Sequence, residues 1–225
     1  MERLQRPRPM AADRPGRTEK TRAALVAAGR KLFCEHPIDA VAIDDIVREA
    51  GVAKGSFYNH FTDREALARA VTALIRADVE HAVDAANTGV EDSARRMVRA
   101  LCVYLRYAVD DPQGAGVIIR FHAGNAPEAS LNRGVVSDVT AGLASGRFAL
   151  ASMESGLIFV IGVVQAAFVR VAGNPNLVHS VTLAQQIGAL ELRGLGVPGP
   201  EAESLAAQAA DEIVRQGAFR AADLA

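Results

Sequence analysis

The side chains best suited to binding chemistry lie close together near the N-terminus, between Ile43 and Phe61. Hydrogen-bond donors and amphipathic groups alternate there with aromatic residues that are typical of a hydrophobic core. Such donors suit the phosphate oxygens and base edges of double-stranded DNA. The stretch therefore indicates nucleic-acid recognition, and its candidate contact residues are Lys54, Gly55, Ser56, Tyr58, Asn59 and His60.

The other residues that could do chemistry form no recognisable catalytic pattern. The five histidines show no HExxH or other metal-ligand spacing, the chain has no GxSxG motif, and neither Cys34 nor Cys102 belongs to a recognisable nucleophile–base pattern. The segment Gly194–Gly199 matches GxGxxG. A predicted helix precedes it and Pro198 removes an amide, which favours a helix end over a dinucleotide site. The sequence thus predicts no catalytic residue, no metal and no cofactor.

Two short predicted helices position the candidate contact residues. Apolar periodicity predicts one helix over Ile43–Ala50 and the next over Lys54–His60, and Gly51 between them can adopt the left-handed backbone of a tight turn. This is a helix-turn-helix arrangement, in which the second helix enters the major groove of DNA. We expect a first helix to begin at a Thr18 cap and a long fourth helix at an Asp63 cap.

The remainder of the chain also has helical periodicity. Glycine and proline separate the candidate helices, and no alternating strand pattern competes with them. The predicted fold is all-α, with an N-terminal three-helix helix-turn-helix domain followed by a helical bundle. The predicted divisions are a flexible basic arm over residues 1–16, a DNA-binding domain over 17–62, and a larger helical domain over 63–225.

Charge is distributed unevenly along the 225 residues, although the formal net charge is only −1. Residues 1–22 contain seven Lys/Arg and three Asp/Glu, whereas residues 64–225 contain fourteen and seventeen. Positive charge at one end suits a protein in which only that end meets phosphate. A basic tail that merely aids solubility would give the same numbers.

The sequence around the two short helices resembles a known family. Residues 43–67 are similar to the signature of TetR-type regulators, most clearly in Ala50-Gly51-Val52, Lys54-Gly55-Ser56-Phe57-Tyr58 and His60-Phe61. The likeness extends back to Ala28–Phe33 in the first helix. The chain departs from the family pattern at Ala42 and Ala53, where a capping hydroxyl is usual, and each loss costs about 0.5–2 kcal/mol of helix stability.

The resemblance implies roles for individual residues. Lys54, Tyr58 and His60 would hold phosphates, and Ser56, Asn59 and the backbone at Gly55 would touch phosphates or bases. Arg64 would add a phosphate contact. Asp44 corresponds to a position that sometimes reaches a base, where a carboxylate would favour a cytosine amino group or simply face water.

The resemblance also implies that residues 63–225 form an effector-binding and dimerisation domain. Members of the family are homodimers, usually joined through two late helices of each subunit. The two best candidates are Ser152–Ala172 and Pro200–Gln216. The first is apolar nearly all round, which is typical of a helix buried on two sides. A central helix of a monomeric bundle is the alternative. A membrane span is disfavoured because Gln165 and Arg170 interrupt the apolar run.

An effector pocket is expected within the helices of residues 92–172. A largely apolar pocket with few polar groups would suit a hydrophobic or aromatic small molecule, whose identity the sequence leaves open. The candidate lining residues are Tyr104, Tyr107, Arg120, Phe121, His122, Phe159, Gln165 and Phe168.

These features predict a dimeric, cytoplasmic transcriptional repressor that binds double-stranded DNA at a palindromic operator and is released by a small-molecule effector. An alternative is a helical small-molecule-binding or enzymatic protein whose helix-turn-helix is vestigial. An activator, or a repressor without an effector, is a further possibility. No association with membranes is expected, and the charged, proline-bearing N-terminus lacks the apolar stretch of a signal peptide.

Overall fold

The computed structural model describes residues 16–120, 132–220 and 222. These residues form ten α-helices and no strand, which confirms the all-α prediction. The last helix continues as a π-helix over Ala210–Arg215. The helices are α1 (Arg17–Glu35), α2 (Ile43–Glu49), α3 (Lys54–Tyr58), α4 (Arg64–Ala86), α5 (Ser93–Asp110), α6 (Pro112–Arg120), α7 (Arg133–Ala144), α8 (Met153–Ala172), α9 (Leu177–Gly194) and α10 (Gly199–Ala209).

The helix starts show which capping predictions were right. Asp63 caps α4 as predicted, accepting a hydrogen bond from the Ala66 amide at 2.6 Å. The predicted Thr18 cap is wrong, because α1 begins at Arg17 with Gly16 as its N-cap. Glu19 explains the earlier start, since its carboxylate accepts a hydrogen bond from the Gly16 amide at 3.0 Å and satisfies a donor that would otherwise be left open. The predicted arm 1–16 lies, apart from Gly16, outside the described residues.

The helices after α4 are organised around α5, which is buried along most of its length. Two buried arginines fix the end of the fold to it. Arg99 donates to the Ala86 carbonyl at 2.9 Å and to both carboxylate oxygens of Glu212 at 2.5 and 3.1 Å. Arg106 donates to the Val214 carbonyl at 2.7 Å. The π-helix is therefore held against α5 by charge-assisted hydrogen bonds.

Helices α8 and α9 expose several large apolar side chains. Ile158 of α8 is 60% exposed, and Val178 and Leu190 of α9 are 78% and 57% exposed. Helix α10 instead buries Ala202, Ala206 and Ala209 and exposes mainly polar residues. The assignment of the dimer contact to Ser152–Ala172 and Pro200–Gln216 stays a prediction.

Among the described helices, α8 alone has the length and composition that a membrane crossing would require, and 33% of its most apolar window is buried. In the fold it packs against α5, α6, α7 and α9. One helix of this kind is weak evidence for a span, because core helices of soluble proteins share the same properties.

One acidic side chain in this domain is buried without a partner. Glu191 of α9 is 0% exposed, and neither of its carboxylate oxygens makes a hydrogen bond within the described residues. Burial raises the pKa of this carboxyl to about 8. Glu191 is therefore protonated in the folded protein at neutral pH.

Candidate DNA interface and ligand cavity

The turn between α2 and α3 has the predicted geometry. Gly51 adopts φ +65°, the left-handed conformation that side chains with a Cβ rarely take. The Val52 amide then donates to the Val47 carbonyl at 3.0 Å, which closes the turn. Gly51 thus sets the angle at which α3 leaves α2.

Helix α3 presents its polar residues around one buried anchor. Phe57 is fully buried and contacts the Tyr58 ring edge-on, with ring centroids 5.4 Å apart. Tyr58 itself is 55% exposed. Lys54, Gly55 and Asn59 are also exposed, whereas Ser56 and His60 are half-buried. A Cβ added at Gly55 would meet no atom within 4 Å, so the backbone there is open to close approach.

The predicted recognition helix is two residues too long. Helix α3 ends at Tyr58, and the His60 and Phe61 amides both donate to the Phe57 carbonyl at 2.9 Å. Phe61 is buried and the Asp63 cap of α4 follows two residues later. The chain must leave the axis of α3 to place both residues, so the helix stops early.

Three of the predicted contact residues already have partners within the protein. The ammonium of Lys54 lies 2.7 Å from a carboxylate oxygen of Asp44. The Arg64 guanidinium donates to the backbone carbonyls of Asp39 and Val41, at 2.9 and 3.1 Å. Arg64 therefore fixes the segment that leads into α2, and its predicted phosphate contact stays a prediction.

A cavity of about 100 Å³ lies between α4, α5, α7 and α8. Helix α8 contributes mainly apolar side chains to its wall, whereas α4 contributes charged ones. The lining residues are Arg76, Glu80, Val83 and Asp84 of α4; Arg96, Met97, Ala100 and Tyr104 of α5; Ile118 of α6; Asn132; Gly134, Val135 and Asp138 of α7; and Val160, Ile161, Val164, Gln165 and Phe168 of α8.

The charged part of this wall combines the carboxylates of Glu80, Asp84 and Asp138 with the guanidinium groups of Arg76 and Arg96. The Tyr104 hydroxyl donates to Glu80, and the Arg96 Nε atom donates to Asp138 at 2.5 Å. Burial raises the pKa of both Glu80 and Asp138, and the hydrogen bonds that each accepts oppose that shift. The cavity therefore offers strong hydrogen-bond acceptors beside an aromatic edge, since Phe168 meets Tyr104 with ring centroids 5.8 Å apart.

The structure divides the predicted effector residues into three groups. Tyr104, Gln165 and Phe168 line the cavity. Tyr107, Arg120 and Phe159 do not: Tyr107 donates its hydroxyl to Asp111 at 2.9 Å, Arg120 is exposed, and Phe159 packs against Gly194. Phe121 and His122 lie outside the described residues.

Sequence reasoning missed the charged wall of the cavity. Arg76, Glu80 and Asp84 recur at intervals of four residues, which places them on one side of α4. Charged residues at such spacing usually face solvent, so the pattern alone does not predict a cavity wall.

Comparison with known proteins gives matches to both domains. Residues 25–71 match the model of bacterial regulatory proteins of the tetR family. The chain is 33% identical over 98 residues to the HTH-type transcriptional repressor DhaR of Mycobacterium sp. (strain GP1), a match that covers 44% of this chain and 48% of that repressor. The chain thus spans about half the length of this relative.

Solved structures match over a greater length. The complex of RolR with resorcinol has a TM-score of 0.63 and 27% sequence identity, covering 85% of this chain and 95% of RolR. A gamma-butyrolactone receptor has a TM-score of 0.57 at 19% identity, covering 87% of this chain and 100% of the receptor, and shows the shared fold alone. Together with the helix-turn-helix geometry, these likenesses show that residues 25–71 form a helix-turn-helix segment of the tetR type. They also show that the described chain shares the fold of TetR-family regulators.

Proposed function

We propose that the protein is a cytoplasmic, dimeric transcriptional repressor that binds a palindromic operator through α3 and leaves it when a small molecule enters the cavity. The observation that carries the proposal is the position of α4. Its N-terminal residues Asp63 and Arg64 adjoin the helix-turn-helix, and Arg76, Glu80 and Asp84 line the cavity. At 23 residues the helix is about 35 Å long, so one rigid element joins both sites.

This shared helix supplies the coupling that such a repressor needs. A ligand that contacts α4 favours one position of the helix, and the position of α4 sets the spacing of the two α3 helices in a dimer. The dimer has one spacing of its α3 helices that fits DNA and one that does not. Release follows when the ligand has a higher affinity for the second spacing than for the first.

The exposed apolar side chains of α8 and α9 support the dimer. Ile158, Val178 and Leu190 would lose their contact with water if a second copy covered them, and apolar burial contributes about 25 cal/mol per Å². A two-fold dimer would present two α3 helices to half-sites one helical turn apart, which accounts for a palindromic operator.

We propose further that the effector is a small, uncharged aromatic molecule bearing hydroxyl groups. Glu80 and Asp138 accept hydrogen bonds and would repel an anion, while Phe168 and the valines of α8 suit a ring. The structural relative RolR, whose structure contains resorcinol, supports the same class.

Replacing Lys54 with alanine is expected to weaken binding to all DNA sequences by roughly tenfold, because one charge-assisted phosphate contact is lost. The slope of log affinity against log salt should become shallower by about 0.9. Fluorescence anisotropy with a footprinted genomic duplex measures both. Lys31→Ala is the matched control, since Lys31 is also an exposed lysine paired with an α2 carboxylate, at 2.7 Å from Glu49, but belongs to α1. Equal salt slopes for the two variants would contradict the assignment.

Replacing Tyr104 with phenylalanine is expected to change the affinity for resorcinol, the probe, by roughly two- to tenfold, as removal of one hydrogen-bonding group does. Tyr107→Phe is the control, because Tyr107 lies on the same helix but donates to Asp111 outside the cavity. Isothermal titration calorimetry measures both, with benzoate as the anionic comparison. Binding of benzoate in preference to resorcinol would overturn the proposed effector class.

The alternative of a vestigial helix-turn-helix makes the opposite prediction for DNA. Such a protein would bind small molecules in the cavity yet retard no genomic fragment at low salt. Footprinting of selected genomic fragments distinguishes the two and would reveal the operator.

A further inference from the structure

The segment around α2 and α3 contains more acidic than basic residues, which is unusual for a surface that meets phosphate. Residues 39–64 include five Asp/Glu and three Lys/Arg. All three bases are paired within the protein. The pairs are Lys54 with Asp44, Arg48 with Asp45, and Arg64 with Asp39.

The pair between Lys54 and Asp44 differs from the other two because it joins α2 to α3 through exposed side chains. The Lys54 Nζ and Asp44 Oδ1 atoms are 2.7 Å apart, and the two side chains are 57% and 67% exposed. The hydrogen bond and charge of Asp44 raise the pKa of Lys54, so the lysine stays cationic. A phosphate can therefore replace Asp44 without any change in the helices.

The remaining two bases are less free to exchange partners. Arg48 pairs within its own helix, three residues from Asp45. Arg64 also donates hydrogen bonds to two backbone carbonyls. If a phosphate took the place of these carbonyls, the segment before α2 would lose the bonds that hold it. Lys54 is thus the basic residue of α3 for which DNA competes directly with a carboxylate.

We propose that Asp44 determines how strongly the protein discriminates its operator from other DNA, by exchanging partners with Lys54. This inference rests on the proposed DNA-binding function. When Lys54 turns to a phosphate, the Asp44 carboxylate is left without its cation beside a polyanion, which is unfavourable on any sequence. A base that presents an amino group in the major groove, such as cytosine, restores a hydrogen bond to the carboxylate. The unfavourable free energy of the unpaired carboxylate therefore remains on non-operator DNA and weakens binding there.

The test is the variant Asp44→Asn in the full-length protein, which keeps the size of the side chain and removes its charge. Affinity for a scrambled duplex of the operator's length and composition should rise roughly two- to fivefold, as expected for release of one exposed ion pair. Affinity for the footprinted operator duplex should not rise, so the ratio of the two affinities falls. Fluorescence anisotropy at several salt concentrations gives both affinities.

Two controls separate partner exchange from a general change in charge. Glu49→Gln removes the same charge from α2, but Glu49 pairs with Lys31 of α1 and not with α3. The double variant Asp44→Asn with Lys54→Ala should show no gain over Lys54→Ala alone. An equal gain for Glu49→Gln, a gain that survives loss of Lys54, or a gain of the same size on operator and scrambled duplexes would each overturn the inference. Failure of the wild-type protein to bind any duplex would instead overturn the proposed function.

Discussion

Replacing Glu191 with methionine is expected to make the protein markedly more stable to unfolding at pH 9 while changing its stability little at pH 5. The folded-state pKa of this carboxyl is about 8, against its usual 4.5. The folded protein therefore binds the Glu191 proton more tightly than the unfolded chain does, and the contribution of Glu191 to stability is lost as pH rises from about 4.5 to about 8. Each unit of pKa difference corresponds to about 1.4 kcal/mol, so the total loss is on the order of 5 kcal/mol.

Urea unfolding followed by circular dichroism at a series of pH values measures this effect. Subtracting the variant's curve from the wild-type curve isolates Glu191, because other groups titrate in both proteins. Glu191→Gln is the second variant, since an amide cannot ionise and yet occupies nearly the same volume. Parallel pH curves for the wild type and both variants would show that Glu191 is ionised or hydrated in the folded state.

Replacing Phe57 with alanine is expected to abolish operator binding while leaving effector affinity within about twofold. Phe57 is fully buried at the centre of the helix-turn-helix, with its ring 5.8 Å from that of Phe61. Removal of such a ring costs about 3–5 kcal/mol. The cavity lies between α4 and α8, and Phe57 does not line it.

The measurements are anisotropy for DNA and calorimetry for resorcinol on the same preparation. Phe57→Leu is the matched control, because an apolar replacement of similar volume costs less than about 1.5 kcal/mol and should retain DNA binding. Loss of resorcinol binding in Phe57→Ala would mean that the two domains unfold together, contrary to the predicted division near residue 62.

The helix-turn-helix could be predicted from sequence because its determinants are local. Gly51, Phe57 and Phe61 lie within eleven residues, and each has a function that its type alone suggests. The geometry of the Gly51 turn and the burial of both phenylalanines followed as expected. The end of α3 was misplaced because the next cap and the burial of Phe61 together decide it, and periodicity within one helix does not contain that information.

The cavity could not be assembled from sequence because its wall draws on several helices that are distant along the chain. Tyr104 and Tyr107 look equivalent in the sequence, but the Tyr104 hydroxyl donates to Glu80 of α4, whereas the Tyr107 hydroxyl donates to Asp111, four residues further along the chain. Glu191 likewise resembles a surface residue in the sequence, and it is the packing of α9 against both α5 and α10 that buries it.

The division of the cavity wall between α4 and α8 bears on how the protein could evolve or be redesigned as a sensor. Under the proposed function, the side chains of α4 that line the cavity belong to the helix that also adjoins the helix-turn-helix, so changes there would alter recognition and response together. Val160 and Val164 line the cavity from α8 and not from α4. Substitutions at these two valines can therefore change which aromatic ring fits the cavity. The release from DNA that follows ligand binding would stay the same.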